Sequence, residues 1–161
     1  MFYSYYTCPI GKIRLRAIDS GLVALDHTNQ QESVGSDWVE NDSHPVILQA
    51  KEELDRYFAG NLKSFSTPLA PKGTAFQLSI WKALQTIPFG ETSSYSDIAN
   101  IINNPKSVRA VGAANGRNPL SIFIPCHRVI GKNGSLTGYA GGVTNKSILL
   151  KLEQKQAELD L

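Results

Sequence analysis

Hydrophobic and polar residues alternate over positions 12–18, with Ile13, Leu15 and Ala17 set against Lys12, Arg14 and Arg16. A period of two predicts a half-buried strand. Asp19-Ser20-Gly21 reads as a tight turn, 22–25 as the returning strand, and 2–6 as a third strand. Residues 28–44 are polar and read as a long loop. From Pro45 the period lengthens. Ile47, Ala50, Leu54, Tyr57 and Phe58 share one helical face opposite Lys51, Glu52, Asp55 and Arg56, and Gly60 closes the helix. The first half is thus expected to be a small antiparallel sheet with one helix.

Thr67-Pro68-Leu69-Ala70-Pro71-Lys72-Gly73 has the composition of a linker, which divides the chain into domains 1–73 and 74–161. The second domain reads as helical. Thr74 with Gln77 forms a capping box, followed by an apolar stripe of Phe76, Ile80, Leu84 and Ile87 that ends at Pro88. Ser94 with Asp97 forms a second box, opening a helix lined by Tyr95, Ile98, Ala99 and Ile102 and ended by Asn103-Asn104-Pro105. A further helix runs from Val108 to Asn115, giving a helix-turn-helix outline. Apart from its valines and Arg109 this helix is almost all Ala and Gly, so its backbone can approach a partner closely. Such a surface does not read bases through long polar side chains in a major groove. Tight packing against a neighbouring helix is the alternative, and Arg109 favours DNA. Asn118-Pro119 then breaks the helix and starts an extended apolar segment, 120–124, terminated by Pro125.

A chain of 161 residues with 42% hydrophobic content can build a real core. Its opening residues have neither a basic region nor a long apolar run, so no signal peptide is expected, and no stretch is long enough to cross a bilayer. Cys8 and Cys126 lie far apart and are expected to be reduced, which together read as a cytoplasmic protein. His27, His44 and Cys8 have no recognisable ligand spacing, so no metal is assigned. The net charge of +2 conceals an asymmetry. Residues 1–73 hold seven basic and nine acidic side chains, while 74–161 hold nine basic and five acidic. Lys106, Arg109, Arg117, Arg128 and Lys132 fall in a stretch without a single acid, a zone that would attract a polyanion, although a solvated basic face reads the same way.

Within that zone lies Ile124-Pro125-Cys126-His127-Arg128-Val129. It sets the best candidate nucleophile, Cys126, beside the best candidate base, His127, and a loop with five glycines in 131–142 follows. A thiol reacts as its thiolate, which a neighbouring imidazole can generate. Adjacent residues rarely point the same way, so a water bridging thiol and imidazole is expected rather than direct contact. A carboxylate on the far ring nitrogen would fix the tautomer. Spacing on the last helix, expected to open near Thr144, does not choose Glu153 over Glu158.

The ordered blocks Gly73-Thr74-Ala75-Phe76-Gln77, Ile80-Trp81, Ile87-Pro88-Phe89-Gly90, Ser94-Tyr95, Arg109-Ala110-Val111-Gly112, Asn118-Pro119, 124–129 and Gly138-Tyr139-Ala140-Gly141-Gly142 resemble the O6-alkylguanine-DNA alkyltransferases. The resemblance implies an N-terminal antiparallel sheet with a helix in a ribonuclease-H-like layout. It also implies a C-terminal winged helix-turn-helix domain, its wing at 131–137, that carries the cysteine. On that resemblance Cys126 accepts the alkyl group, His127 deprotonates it and Glu153 orients the imidazole. Tyr95 and Arg109 promote extrusion of the damaged nucleotide, Ala110 and Gly112 face the DNA, and Asn118 braces the turn. Gly138, Tyr139, Ala140 and Gly141 wall the pocket, with Ala140 standing where some members have a Ser hydroxyl. The implied partner is alkylated double-stranded DNA, met in the minor groove by a monomer, with cooperative binding left open. Neither a cofactor nor a membrane is involved. The implied reaction is a single, irreversible transfer from O6 of guanine, and from O4 of thymine. Two other uses of the same residues compete: a Cys-His-Glu thiol hydrolase, and a DNA-binding regulator in which Cys126 is structural.

Overall fold

The computed structural model describes residues 1–28, 33–136, 139 and 141–160, which form two compact units, Met1–Lys72 and Gly73–Leu161. In the first unit, β1 (Phe2–Cys8), β2 (Gly11–Ile18) and β3 (Gly21–His27) pair antiparallel, and a two-residue β4 (Val39–Glu40) joins β1 in parallel. The sheet order is β3-β2-β1-β4. The short β4 comes from the stretch expected to be loop. Its two residues are both exposed, so no burial pattern betrays it.

Register explains the two faces. Ser4 and Tyr6 pair with Leu15 and Ile13, and they meet helix α1 (Pro45–Phe58) through Lys51 Nζ, which donates to Ser4 Oγ at 2.6 Å, and Asp55, which accepts from Tyr6 at 2.5 Å. The apolar stripe of β2 therefore lies under α1, where Ile13, Leu15, Ile47, Ala50, Leu54 and Tyr57 are fully buried. The opposite face is not solvated as the alternation implied. Arg14 is only 3% exposed. Asp26 accepts hydrogen bonds from Arg14 and Arg16 at 2.8–2.9 Å, and the Trp38 ring covers both guanidiniums. Paired and stacked, these charges tolerate burial that a lone guanidinium would not.

The linker is shorter in practice than its composition suggests. Leu22 N–H donates to Pro68 O and Ala70 N–H to Leu22 O, each at 2.8 Å, so 68–70 lies along β3. The Glu53 carboxylate accepts the Ser66 and Thr67 N–H groups at 2.7 Å and the Thr67 hydroxyl.

The second unit holds α2 (Ala75–Leu84), α3 (Tyr95–Ile101), α4 (Val108–Gly116) and α5 (Val143–Leu159). Both capping boxes form: Thr74 with Gln77 opens α2, and Ser94 with Asp97 opens α3. Asn103, in the left-handed region at φ 58°, ends α3. Trp81 Nε1–H donates to Ala114 O at 2.9 Å, fastening α2 to α4. A parallel pair, β5 (Ser93–Ser94) with β6 (Val129–Ile130), sets the start of α3 beside the chain leaving Cys126.

Candidate active site

The segment before Cys126 is not extended. Ile124 N–H donates to Leu120 O at 2.8 Å, and Ile122 sits at φ 77°, a region costly for a β-branched residue. The Asn118 side chain holds this tight loop from both sides, accepting from Leu120 N–H at 3.0 Å and donating to Ile124 O at 2.8 Å. Every side chain of 120–124 is buried, and burial with these polar ties overrides the extended preference of Ile and Phe. At Pro125 (φ −80°, ψ 62°) an inverse γ-turn, closed by Cys126 N–H to Ile124 O at 2.7 Å, delivers Cys126 into a short 3-10 turn, Cys126–Arg128.

That turn aims three consecutive side chains inward. Cys126 is 2% exposed and His127 0%. His127 Nε2 lies 2.5 Å from Glu153 Oε2, while Nδ1 is buried with no hydrogen-bond partner among the described residues. A carboxylate accepts only, so Nε2 carries the proton and Nδ1 keeps its lone pair. Arg128 grips the same carboxylate, donating from Nε to Oε1 at 2.8 Å and from Nη2 to Oε2 at 3.3 Å. Its Nη1 donates to Ile87 O at 2.7 Å and its guanidinium lies over the Phe89 ring. Gly90 N–H reaches Glu153 Oε1 at 3.3 Å. Glycine is required there: φ is 82°, and a Cβ would stand 2.8 Å from that of Ala157.

Electrostatics follow from this burial. Burial pushes the Cys126 thiol up, opposed by hydrogen bonds from Asn118 and Ser121 and by the nearby Lys146 charge. Burial pushes His127 down, and although Glu153 works against it, Arg128 and Lys146 add to the lowering. For Glu153 burial acts upward, but hydrogen bonds and charge from His127 and Arg128 outweigh it and hold the carboxyl at about 2. Burial thus pushes the thiol and the imidazole towards their neutral forms, while the carboxyl stays ionised.

The structure thus brings Cys126, His127, Glu153 and Asn118 together. Tyr95, half-buried at the start of α3, lies over Gly112, whose added Cβ would meet the ring at 3.9 Å. Arg109 and Ala110 are exposed on α4, and Val111, Ala114 and Asn115 form its buried side. Tyr139 is buried, its O accepting from Gly142 N–H at 3.0 Å, and Gly141 O accepts from Asn145 at 2.9 Å. Thr137 of the expected wing, and Gly138 and Ala140 of the expected pocket wall, lie outside the described residues.

Three participants escaped the sequence reading. Arg128 was counted with the basic surface but is 6% exposed, so Lys106, Arg109, Arg117 and Lys132 remain as its exposed members. Lys146 is fully buried, and its ammonium donates to Val129 O. Gly90 reaches Glu153 across 63 positions of chain, a contact that no local pattern announces. Only the adjacency of Arg128 to the Cys-His pair offered a signal. Among the described residues no His/Cys/Asp/Glu cluster could hold a metal ion, and no helix is long and apolar enough to cross a membrane.

A buried cysteine, imidazole and carboxylate, carried by a helical domain whose small-residue outer helix exposes Arg109, have the make-up of a thiol-chemistry site. The chain belongs to the 6-O-methylguanine DNA methyltransferase family: residues 1–71 match its ribonuclease-like domain and residues 75–155 its DNA-binding domain. It is 50% identical over 155 residues to a methylated-DNA–protein-cysteine methyltransferase of Methanosarcina acetivorans, covering 95% of this chain and 98% of that protein. It is 48% identical over 161 residues to the constitutive methyltransferase of that name in Bacillus subtilis, covering 94% and 96%. The crystal structure of Mycobacterium tuberculosis OGT in complex with DNA superposes with a TM-score of 0.88 at 43% identity, covering 97% of this chain and 94% of that one.

Proposed function

We propose that this protein repairs DNA by direct reversal, transferring a methyl or larger alkyl group from O6 of guanine, and from O4 of thymine, to Sγ of Cys126. The observation that carries the reading is the polarised imidazole: Nε2–H is committed to Glu153 at 2.5 Å, leaving the Nδ1 lone pair for the thiol proton. In the transfer, His127 takes that proton, directly or through one water. The thiolate attacks the alkyl carbon in line, the C–S bond forms, and the C–O bond breaks with its electron pair going to the base oxygen. The base takes up a proton, and the imidazolium gives its own back, so that none is gained or lost overall. Glu153 stabilises the imidazolium while it exists.

With Cys126 2% exposed, a base held inside a duplex cannot present its alkyl carbon to sulfur. The nucleotide is therefore extruded, at a cost of about a few kcal/mol. Arg109, exposed on α4, fills the gap and stacks against the widowed partner, and Tyr95 steers the nucleotide. Ala110 and Gly112 let α4 lie close in the minor groove. Gly138, Tyr139, Ala140 and Gly141 border the flipped base, and Ala140 supplies no hydroxyl to its oxygen. Asn118 both braces the 118–124 loop and hydrogen-bonds the sulfur. DNA binding and the acceptor thus reside in 74–161, with 1–73 as a separate domain. The protein acts in the cytoplasm as a monomer, where its two free cysteines stay reduced. The relative solved with DNA supports the choice of partner.

A thioether is inert to water, so each molecule turns over once. Duplex DNA carrying labelled O6-methylguanine should transfer label to protein up to a 1:1 limit. Label released repeatedly as small product would instead indicate a hydrolase. Arg109→Ala should slow repair of duplex far more than reaction with the free modified base, and equal losses would remove its part in extrusion.

A further inference from the structure

Glu153 meets the side chains of both His127 and Arg128, and its charge could serve either one. With the imidazole alone beside it at 2.5 Å, a buried carboxylate would favour imidazolium, and an already protonated His127 could not take the thiol proton. The second donor changes the outcome. Arg128 occupies both carboxylate oxygens at 2.8 and 3.3 Å and is anchored by Ile87 O and the Phe89 ring. We propose that Arg128 is a positioning residue for the transfer, balancing the Glu153 charge and fixing its carboxylate so that His127 rests as the neutral base.

Charge counting supports this assignment, which rests on the alkyl-transfer reading. The charged groups acting on the imidazole are Glu153 and Lys146 besides Arg128 itself, and Cys126 adjoins it in the chain. With thiol and imidazole neutral and Lys146 protonated, the cluster carries one positive charge. Moving the proton from Cys126 to His127 leaves that total unchanged. Protonating His127 from solvent raises it in a site where neither His127 nor Glu153 is more than 1% exposed. Arg128 thus opposes protonation of His127 from solvent. Without it, the imidazolium gains stability relative to the neutral ring.

The test is the pH dependence of label transfer from methylated duplex for the wild type, Arg128→Met and Arg128→Lys. Its acid limb reports loss of one proton from the Cys126–His127 pair. Arg128→Met should move that limb up by about one pH unit or more, a tenfold or greater loss of rate below it. Arg128→Lys, which keeps the charge, should return the limb towards its wild-type position even where the plateau rate is reduced. A lowered plateau with an unmoved limb in Arg128→Met overturns the proposal and leaves Arg128 as a packing residue. Nitrogen NMR of His127 in the full-length wild type decides the matter independently of variant folding. A neutral ring protonated on Nε2 at neutral pH is expected, and an imidazolium overturns it. Failure of the alkyl-transfer reading would look different, because the wild type itself would then take up no label at any pH.

Discussion

Replacing Glu153 by Gln keeps the outline of the side chain and removes its charge. In the folded protein burial acts to raise this carboxyl, yet His127 and Arg128 together hold it at about 2, against an ordinary 4.5. At ~1.4 kcal/mol per pH unit, that displacement is worth about 3 kcal/mol of folding stability. The buried ion pair gives a similar size by another route, since stranding one partner costs about 3–5 kcal/mol. Because the folded value is depressed, the contribution is complete above 4.5 and is lost as the pH falls towards 2. Trp38 and Trp81 lie in different units, so urea unfolding followed by Trp81 fluorescence in a Trp38→Phe background reports on the second unit. Glu153→Gln should be less stable by about 3 kcal/mol at neutral pH. A gap that is absent at neutral pH would overturn this assignment of the Glu153 charge.

Gly90→Ala forces a Cβ to 2.8 Å from that of Ala157 at φ 82°. It should destabilise the second unit by about 1–3 kcal/mol in the same unfolding assay and slow label transfer by displacing an N–H from Glu153. Asn118→Ala removes both ties of the 118–124 loop and should cost about 1–3 kcal/mol, with a slower single-turnover rate that Asn118→Asp does not restore, since Asp cannot donate to Ile124 O. Affinity for methylated duplex should fall with salt along a log–log line, and Arg117→Ala should flatten its slope by about 0.9 if that exposed residue contacts one phosphate. An unchanged slope would take the end of α4 off the DNA face.

The sequence was most legible where structure is local. The alternation of β2, Pro45 at the start of α1, and the two capping boxes are short-range patterns, and each opens or marks the element expected of it. Legibility failed where distant groups meet. The polar side of β2 read as solvated, because nothing near it in sequence reveals Trp38 lying across Arg14 and Arg16. Residues 120–124 read as extended because their composition favours it, yet the Asn118 side chain and a left-handed Ile122 turn them back on themselves. The site divides in the same way. Cys126 and His127 are adjacent and stood out at once. Glu153 was reached only through family likeness, since one helical Glu resembles another until Arg128 and Gly90 are seen to enclose it. Lys146 gave no sign at all, because a lysine in the first turns of a helix is ordinarily solvated.

The central claim is that one sulfur becomes the permanent acceptor of the alkyl carbon. Its most direct test is mass spectrometry of the peptide containing Cys126 after incubation with duplex DNA bearing O6-methylguanine. One added methyl on Cys126 is expected, in proportion to lesion consumed, with Cys8 unmodified. Repaired DNA accompanied by an unmodified Cys126 would contradict it.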